Sequence, residues 1–292
     1  MSTPRFLTLP PGVREQRIET PVGTFAALEA LPVSGVPERC PALLVPGYTG
    51  SKEDFIAIFQ TLAQAGRRVV AIDMRGQFET EGPDDPAAYT CAALGEDIDQ
   101  IAAVVGDGEP VHLVGHSFGG LVTREAVIGG ATKLASYTLM SSGPAGITGP
   151  REKACRLMLR ELPEVGLAHL WTHRLEPEAI VAGVPDEIVD FLRRRLFANS
   201  PTGLVSMAEE VLNAPDRLAD LREVGVPILV LYGEHDDGWS PLTQAEMAES
   251  LDADIVVVPG ALHSPAVEAP ETTAHALTRF WNHAEQHPAH PA

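Results

Sequence analysis

Cysteine and long apolar runs are both scarce in this chain of 292 residues. The three cysteines, Cys40, Cys91 and Cys155, are odd in number and far apart in the sequence. This spacing fits reduced thiols better than a disulfide framework or a metal cluster. No apolar run approaches the length of a membrane span, and residues 1–17 lack the basic-then-apolar order of a secretory leader. We therefore expect a globular protein of the cytoplasm.

Basic residues are also few, because 21 Lys and Arg stand against 40 Asp and Glu, which gives a formal net charge of -19. Nucleic acids and anionic membrane surfaces attract basic proteins, so this charge argues against both as partners. The spacing of His and Cys matches no zinc site, and no phosphate-cradling Gly-x-x-x-x-Gly-Lys motif is present. The sequence thus predicts no metal and no organic cofactor, and it leaves the oligomeric state open.

The order of the predicted elements is that of a parallel sheet flanked by helices. A strand-rich start, with a hairpin at 18–31, is followed by alternating strands and helices up to a strand at 134–140. From residue 144 to residue 224 only helical patterns occur, and the alternation then resumes. Continuous apolar strands belong in a parallel sheet covered on both faces. The chain thus predicts an α/β core domain, 1–143 and 225–292, with a helical cap inserted between its sixth and seventh strands.

The predicted cap contains helical patterns at 152–162, 186–197 and 204–212. The run Arg193 to Arg195 lies within the second of these patterns, and we expect it to form a solvated face rather than an anion site. At the other end of the chain, the tail 287–292 is polar and rich in proline. We expect this tail to fray.

The segment 111–120 points most directly to chemistry, because an apolar strand runs there into a Gly-x-Ser-x-Gly turn and then into a helix. A serine at such a tight corner is pushed out above the edge of the sheet. Gly115 and Gly119 allow the backbone to approach closely, because they have no Cβ that would clash. The pentapeptide alone is a weak signal in a chain with 26 glycines. Its strand and helix context predicts that Ser117 is a nucleophile.

A serine hydroxyl is a poor nucleophile at neutral pH, so Ser117 needs a base, and the base needs an acid that orients it. Among the ten histidines, His263 stands out because it follows the strand 254–258 on a loop beyond the carboxyl end. Ligands collect at this edge of open parallel sheets. By contrast, we expect His116 on the opposite side of the corner from the nucleophile, in a structural role.

The acid is expected after another strand that ends at the same edge of the sheet. The segment 231–237 supplies two carboxylates, Asp236 and Asp237, directly after an apolar strand. Both follow the same strand end, so the residues alone do not separate them. The resulting order along the chain is serine, acid, histidine.

With these residues placed, nearly the whole chain resembles the α/β-hydrolase superfamily, in its capped, esterase-like branch with a serine nucleophile. The motifs that carry the resemblance are Gly-His-Ser-Phe-Gly-Gly at 115–120, Asp-Met-Arg-Gly at 73–76, Gly-Glu-His-Asp at 233–236, and His263 followed by Glu-Ala-Pro-Glu at 268–271. In that family the acid commonly lies three residues after the glycine that ends its strand, which selects Asp236. The resemblance implies Ser117 as nucleophile, His263 as general base and then acid, and Asp236 as the residue that orients the imidazole.

The resemblance also implies an oxyanion hole made of backbone N–H groups. One donor is the N–H of Phe118, the residue after the serine. The other lies on the loop Gly-Tyr-Thr-Gly at 47–50, and we assign it to the N–H of Tyr48. Many relatives carry His-Gly where this loop begins with Pro46-Gly47, but backbone donors need no particular side chain. The segment 77–80 departs from the family pattern as well, so we infer no substrate contact there.

Together these features predict a serine hydrolase that cleaves a carboxylic ester, or a related acyl bond, of a moderately apolar small molecule. The apolar residues of the cap suggest a lid over this substrate, with Trp239 and Trp171 as candidate pocket residues. Thioesterase, lactonase, carbon-carbon bond hydrolase and acyltransferase chemistry use the same triad and stay open, as does a small-molecule receptor with low turnover. Serine at position 117 argues against epoxide or halide chemistry, which uses an aspartate nucleophile in this fold.

Overall fold

One eight-stranded sheet runs through the computed structural model, which describes residues 1–130 and 132–287. The strands are β1 Val13–Thr20, β2 Gly23–Ala30, β3 Arg39–Val45, β4 Arg67–Ile72, β5 Val111–His116, β6 Leu134–Met140, β7 Ile228–Gly233 and β8 Asp254–Val258. Their order across the sheet is β1-β2-β4-β3-β5-β6-β7-β8. The hairpin β1–β2 and the pair β2–β4 are antiparallel, and the other pairs are parallel. The predicted mostly parallel sheet is thus confirmed.

Helices follow most of the strands. The α-helices among the described residues are α1 Ile56–Gln64, α2 Cys91–Gly106, α3 Phe118–Gly129, α4 Glu152–Leu170, α5 Glu176–Val181, α6 Asp186–Ala198, α7 Pro201–Asn213, α8 Leu218–Glu223, α9 Pro241–Leu251, α10 Pro265–Glu268 and α11 Pro270–Gln286. In the part of the chain that the structure describes, no helix combines the length and the apolar character that crossing a membrane requires. Apart from His287, the tail predicted to fray lies outside the described residues.

The sheet buries an apolar core on each of its faces. Successive residues of a strand point to opposite faces. Leu43 and Leu113 therefore pack with α2, α3 and α9, whereas their neighbours Leu44 and Val114 pack with α1 and α11. Burial on both faces explains why these strands are continuous apolar runs in the sequence, and each buried side chain contributes roughly 1.5 to 3 kcal/mol.

The segment between β6 and β7 contains α4 to α8 and no strand among its residues, all of which the structure describes. We call these five helices, together with the π-helical turn Trp171–Leu175 that joins α4 to α5, the inserted helices. They pack around an apolar cluster of their own, to which Met158, Trp171, Phe191 and Leu204 belong. The predicted insertion of helices between the sixth and seventh strands is confirmed. The division of the chain into a core domain and a separate cap domain stays a prediction.

The basic run Arg193 to Arg195 on α6 is only partly solvent-exposed, although the sequence predicts a solvated face. Arg193 and Arg194 are exposed, as expected. Arg195 is fully buried and donates from Nη1 to Oδ1 of Asp54, a residue of the turn before α1, at 2.8 Å. Successive helical residues are rotated by about 100°, because a helix has 3.6 residues per turn. Only one of the three guanidinium groups therefore faces the core, and the prediction is wrong for that one.

The parallel direction of β5 to β8 brings their carboxyl ends to one edge of the sheet. Ser117 directly follows β5 and Asp236 lies three residues after β7. His263 lies five residues after the end of β8. The fold thus places three side chains that are distant in the sequence at one edge.

Candidate active site

Ser117 occupies the turn between β5 and α3 in a backbone conformation that residues other than glycine rarely adopt. Its φ and ψ angles are 55° and -121°, a strained combination that costs on the order of 1–3 kcal/mol. Its N–H donates to the carbonyl of Met140 at 2.9 Å, and its carbonyl accepts from the N–H of Gly120 at 2.8 Å. These two hydrogen bonds hold the turn from both sides.

Two glycines beside this turn leave room for it. A Cβ on Gly115 would lie 2.1 Å from a neighbouring hydroxyl oxygen, and a Cβ on Gly119 would lie 2.3 Å from the carbonyl oxygen of Pro46. Both separations are far shorter than a carbon atom tolerates. Any side chain at either position would push the turn away from β5 or from the loop after β3, as the sequence motif predicts.

A chain of hydrogen bonds joins the hydroxyl of Ser117 to a carboxylate through one imidazole. Nε2 of His263 lies 2.8 Å from Oγ of Ser117, and Nδ1 lies 2.8 Å from Oδ1 of Asp236. A carboxylate only accepts, so the proton is on Nδ1, and Nε2 is left to accept from the serine hydroxyl. All three residues are buried, with 5 to 7% of their surface exposed. The structure thus brings together the serine, histidine and acid that the sequence singled out.

The carboxylate in this series of hydrogen bonds belongs to Asp236 and not to Asp237. Oδ1 of Asp236 also accepts from the N–H of Gly238 at 2.8 Å, and Oδ2 accepts from Nε2 of Gln244 at 3.0 Å. Burial by itself would raise the pKa of Asp236, but the hydrogen bonds from His263, Gly238 and Gln244 outweigh it and leave the pKa below its ordinary value. The carboxylate is therefore ionised at neutral pH and accepts the Nδ1–H of His263.

Asp237, the alternative that the residues alone left open, pairs with a different partner. Its Oδ1 accepts from Nε of Arg151, which lies just before α4. The two adjacent carboxylates thus have different partners. Asp236 bonds to the imidazole of His263, and Asp237 bonds to Arg151 in the segment that leads to the inserted helices.

His116 lies closer to the site than we expected from the sequence. Its ring lines the same cavity as Ser117, and its Nε2–H donates to the backbone carbonyl of His263 at 2.7 Å. Burial and, second, the neighbouring His263 lower the pKa of His116 to about 3. The ring is therefore neutral at neutral pH, and its hydrogen bond holds the loop that carries the imidazole of His263.

The loop 47–50 lines the cavity beside Ser117, and a residue missed by the sequence analysis fixes its direction. Gln77 is buried, donates from Nε2 to the carbonyl of Gly47 at 3.0 Å and accepts from the N–H of Met74 at 3.2 Å. The carbonyl of Gly47 and the N–H of Tyr48 belong to one planar peptide and point in opposite directions. Gln77 therefore sets the direction of the N–H of Tyr48. In the sequence, the only indication of this role is that a polar residue stands at position 77, where the segment 77–80 departs from the family pattern.

The two N–H groups predicted for the oxyanion hole have no hydrogen-bond acceptor among the described residues. Neither the N–H of Tyr48 nor that of Phe118 donates to another described residue. Phe118 is the first residue of α3, and the first N–H groups of a helix have no partner inside it. The phenol of Tyr48 donates to the carbonyl of Leu204 on α7 at 2.9 Å, which ties this loop to the inserted helices.

A cavity of about 120 Å³ adjoins Ser117 and His263. Much of its wall is apolar and comes from the inserted helices and the segment before them, through Ile147, Met158, Leu175, Leu196 and Val211. Met1 and Ser2 also line it. The volume fits a small organic group rather than a long acyl chain.

The two tryptophans predicted for the pocket are not among the residues that line this cavity. The indole N–H of Trp239 donates to the carbonyls of Ala145 and Gly146, and its ring centroid lies 6.3 Å from that of His263. Trp171 packs inside the apolar cluster of the inserted helices. Both indoles are nearly fully buried among protein atoms, so they support the walls from behind.

Two groups of side chains in the described ranges bring potential metal-ligating atoms within 4.8 Å of one another. In the first, Asp236 and His263 already bond to each other, and Asp237 pairs with Arg151. The second consists of Cys40, His112 and Glu285, and its carboxylate is engaged by two arginines, Arg39 and Arg67. The residues present thus fit hydrogen-bonded networks better than a divalent cation, and we assign no metal to either group.

Comparison with known proteins gives one family and a set of similar folds. The family model described as alpha/beta hydrolase family matches residues 42–276. A Bacillus subtilis (strain 168) protein provisionally named 2-succinyl-6-hydroxy-2,4-cyclohexadiene-1-carboxylate synthase is 25% identical over 258 residues, which cover 80% of this chain and 87% of that protein.

Two solved structures illustrate the similarity of fold. A thermophilic esterase from Thermogutta terrifontis has a TM-score of 0.72 at 22% identity, with 93% of this chain and 99% of that chain covered. The enol-lactonase from Burkholderia xenovorans LB400 has a TM-score of 0.73 at 18% identity, with 91% of this chain and 100% of that chain covered. At these identities the two structures establish the architecture.

Proposed function

Because the chain belongs to the alpha/beta hydrolase family, we propose that it is a serine hydrolase that cleaves a carboxylic ester of a moderately apolar small molecule. The observation that carries the proposal is the hydrogen-bond chain from Ser117 through His263 to Asp236, with both links at 2.8 Å. A nucleophile, a base within reach and an acid that orients the base are the parts that acyl transfer requires.

In the first half of the proposed reaction, Oγ of Ser117 attacks the ester carbonyl carbon while Nε2 of His263 takes the hydroxyl proton. The tetrahedral intermediate carries a negative charge on the former carbonyl oxygen. When it collapses, the bond to the alcohol oxygen breaks, and His263 gives its proton to that oxygen. The alcohol leaves, and the acyl group remains as an ester on Ser117.

In the second half, a water molecule attacks the acyl-enzyme and gives a proton to Nε2 of His263. Collapse of the new intermediate releases the carboxylic acid and returns the proton to Oγ of Ser117. Asp236 stays ionised throughout and stabilises the imidazolium that forms in each half. No proton or electron is left over, and water is the only co-reactant.

We propose the N–H groups of Tyr48 and Phe118 as the donors that stabilise the negative oxygen. Neither N–H has a partner among the described residues, and the direction of the first is set by Gln77 through the carbonyl of Gly47. A single donor of this kind contributes roughly 3 to 4 kcal/mol to the stability of the transition state. The alignment of the loop 47–50 therefore matters nearly as much as the triad.

The inserted helices are proposed to form a cap over a core composed of 1–143 and 225–292. Two contacts support this arrangement of cap and core: the hydrogen bond from Tyr48 to Leu204 and the buried ion pair of Arg195 with Asp54. Both connect the edge of the sheet near Ser117 to helices that line the cavity. The cap thus limits the size of the substrate group. The cytoplasmic setting expected from the sequence stays a prediction.

Esters are the first substrates to test, but thioesters, lactones and carbon-carbon bonds next to a carbonyl present the same electrophile to Ser117. The chain shares its fold with an esterase and an enol-lactonase. A panel of short 4-nitrophenyl esters, thioesters and lactones therefore decides the bond type. An acyltransferase would instead produce transfer to an added alcohol in preference to water.

Active-site labelling tests the proposal. A fluorophosphonate probe should label the wild-type protein, and Ser117→Ala should abolish both labelling and ester hydrolysis while the circular dichroism spectrum stays the same. Ser250→Ala is the matched control, because Ser250 is exposed on α9 and its hydroxyl donates to the carbonyl of Glu246 on the same helix. Hydrolysis that persists in purified Ser117→Ala would refute the mechanism. Rapid labelling without turnover on the whole panel would instead indicate a receptor.

A further inference from the structure

Arg151 supplies the only Lys or Arg side chain in the cavity wall that the described residues form beside Ser117. It lies just before α4, and the wall around it is largely apolar. A guanidinium is always charged and presents its donors in a planar fork. A cationic residue thus lines the same largely apolar cavity as Ser117 in a chain whose net charge is -19, and it calls for an explanation.

The position of Arg151 is fixed by the loop that carries the catalytic acid. Its Nε pairs with Oδ1 of Asp237. The backbone N–H of Arg151 donates to the carbonyl of Asp237 at 3.3 Å, and that of Gly149 donates to the carbonyl of Gly238 at 2.8 Å. A side chain that is already held in place loses little conformational entropy when it binds a ligand.

The outer edge of this guanidinium is available. Among the described residues, the Arg151 side chain donates a hydrogen bond through Nε, whereas Nη1 and Nη2 have no partner. The side chain is 32% exposed, in keeping with a group that faces a cavity. Two adjacent N–H donors on one planar edge match the two oxygens of a carboxylate.

Other charged groups of the wall do not cancel this cation. The carboxylate of Asp54 lines the same cavity, but Arg195 neutralises it at 2.8 Å. His116 is neutral, because burial lowers its pKa to about 3. Asp237 offsets part of the charge of Arg151, but it contacts Nε and leaves Nη1 and Nη2 without a partner among the described residues. In an apolar environment an ionic contact at that edge is stronger than in water.

We infer that Arg151 binds a carboxylate of the substrate, so that the molecule whose ester Ser117 cleaves is a small organic acid. The inference rests on the proposed function and names its substrate class. The carboxylate is on either the acyl part or the alcohol part of the ester. The contact makes Arg151 a specificity-determining residue.

A purely structural Arg151 would act through the pair with Asp237 alone. Its removal would then disturb the acid loop and slow charged and uncharged substrates by the same factor. A carboxylate-binding Arg151 changes the ratio between the two substrates, and mainly through KM. This difference is the basis of the test.

The test uses two pairs of esters in which a carboxylate is replaced by the isosteric, uncharged amide. Monomethyl succinate and methyl succinamate carry the group on the acyl part. Acetoxyacetate and 2-acetoxyacetamide carry it on the alcohol part. Hydrolysis is followed by the release of acid with a pH indicator, and kcat and KM are measured for the wild type, Arg151→Gln, Arg151→Lys and Arg156→Gln. Arg156 is the matched control, because it lies on α4 with 62% of its side chain exposed.

For at least one pair, the ratio of kcat/KM for the carboxylate over the amide should fall about tenfold or more in Arg151→Gln. Arg151→Lys should restore part of the loss, since it returns the charge without the fork. Arg156→Gln should match the wild type. The pair that responds identifies the side of the ester on which the carboxylate lies. An unchanged ratio in both pairs overturns the inference.

Binding without turnover separates this inference from the proposed function. Isothermal titration should show that wild-type protein binds succinate at least tenfold more tightly than succinamide, and that Arg151→Gln removes the preference. An equal response to the two ligands, including no response to either, contradicts a carboxylate site. If no ester is hydrolysed but the preference for succinate is present, the hydrolase proposal fails and the carboxylate site stands.

Discussion

In the proposed mechanism, the reactivity of Ser117 depends on side chains that do not react themselves. His116 holds the backbone carbonyl of His263 at 2.7 Å. Gln77 is absent from the cavity wall but holds the carbonyl of Gly47 at 3.0 Å. Each uses one hydrogen bond to fix a loop that carries a group with a proposed role in the chemistry. A misplacement of such a group by about 1 Å lowers the rate by a factor on the order of 100.

Gln77→Leu is expected to lower kcat about tenfold or more while KM changes by less than threefold, because the N–H of Tyr48 loses its direction in the transition state. Steady-state kinetics on a short ester measures both constants. Gln77→Glu keeps the shape but removes the donor, so it should behave like Gln77→Leu. Gln60→Leu is the control, since Gln60 is exposed on α1. A wild-type kcat in Gln77→Leu would show that the loop 47–50 needs no support from Gln77.

At the scale of elements, β5 joins the candidate site to the far end of the sheet. Ser117 follows its last residue, and His112 lies near its start. Nδ1 of His112 bonds to Oγ of Ser136 on β6 at 2.7 Å, and Nε2 bonds to Oε1 of Glu285 on α11 at 3.1 Å. The ring also stacks on Trp281 with 5.1 Å between centroids. A single histidine thus connects two strands and the last helix.

The pH dependence of stability should report this connection. Burial lowers the pKa of His112 from 6.5 to about 4. The hydrogen bond to Glu285 acts in the opposite direction, and the nearby charge of Arg67 lowers the pKa further. Between these pH values the unfolded chain binds the proton and the folded protein does not, so the free energy of unfolding decreases as the pH falls. His112 should therefore contribute roughly 2 kcal/mol of destabilisation between pH 7 and pH 5.

Urea unfolding at pH 7 and pH 5 of the wild type, His112→Asn and His275→Asn measures this contribution. The difference in free energy of unfolding between the two pH values should be smaller in His112→Asn by roughly that amount, because the asparagine does not titrate. His275 is exposed on α11, and its replacement should leave the difference as in the wild type. Equal pH slopes in wild type and His112→Asn would contradict a neutral, buried ring.

At the scale of the whole molecule, the inserted helices are attached to the core next to the site. Arg195 on α6 is fully buried, pairs with Asp54 at 2.8 Å and donates to the carbonyl of Ser2 at 2.6 Å. Asp54 in turn accepts from the N–H of Ser51 at the start of the turn before α1. The ion pair therefore holds together α6, the first residues of the chain and the end of the loop after β3.

Arg195→Met should lower the free energy of unfolding by roughly 3 kcal/mol or more, because it leaves the carboxylate of Asp54 buried without a counter-ion. Urea denaturation measures the loss. Replacing Asp54 by Asn as well should recover part of it, since the buried charge is then gone. Arg194→Met, at an exposed position, should differ from the wild type by less than about 0.5 kcal/mol. A stable Arg195→Met would show that the pair does not hold the helices to the core.

Much of the fold follows from local patterns in the sequence. The strands predicted at 134–140 and 254–258 have those bounds in the structure, because apolar runs between turn residues mark buried strands. The pattern at 152–162 predicts a helix that ends before Pro163, whereas α4 continues to Leu170 with a break at Gly166. Leu162 and Leu170 both pack in the cluster of the inserted helices, and this tertiary packing outweighs the local signal.

The site is less predictable, since its contacts join distant parts of the chain. The positions of Ser117 and His263 follow from strand ends at one edge, and the structure agrees with both. The hydrogen bond of Gln77 with Gly47 spans 30 residues, and that of Arg195 with Asp54 spans 141. No local pattern indicates which polar residue meets which loop. Sequence patterns thus locate the ends of elements, and the packing of elements decides which polar side chains support the site.

The distance along the chain between the hydroxyl of Ser117 and its proposed base has a consequence for biosynthesis. Ser117 and His263 are separated by 146 residues, and α4 to α8 lie between them. A ribosome that has made the serine, the strained turn and every inserted helix has still not made the imidazole. In the proposed mechanism, the nascent polypeptide therefore carries an unactivated alcohol at position 117 until translation has passed β8 and reached residue 263.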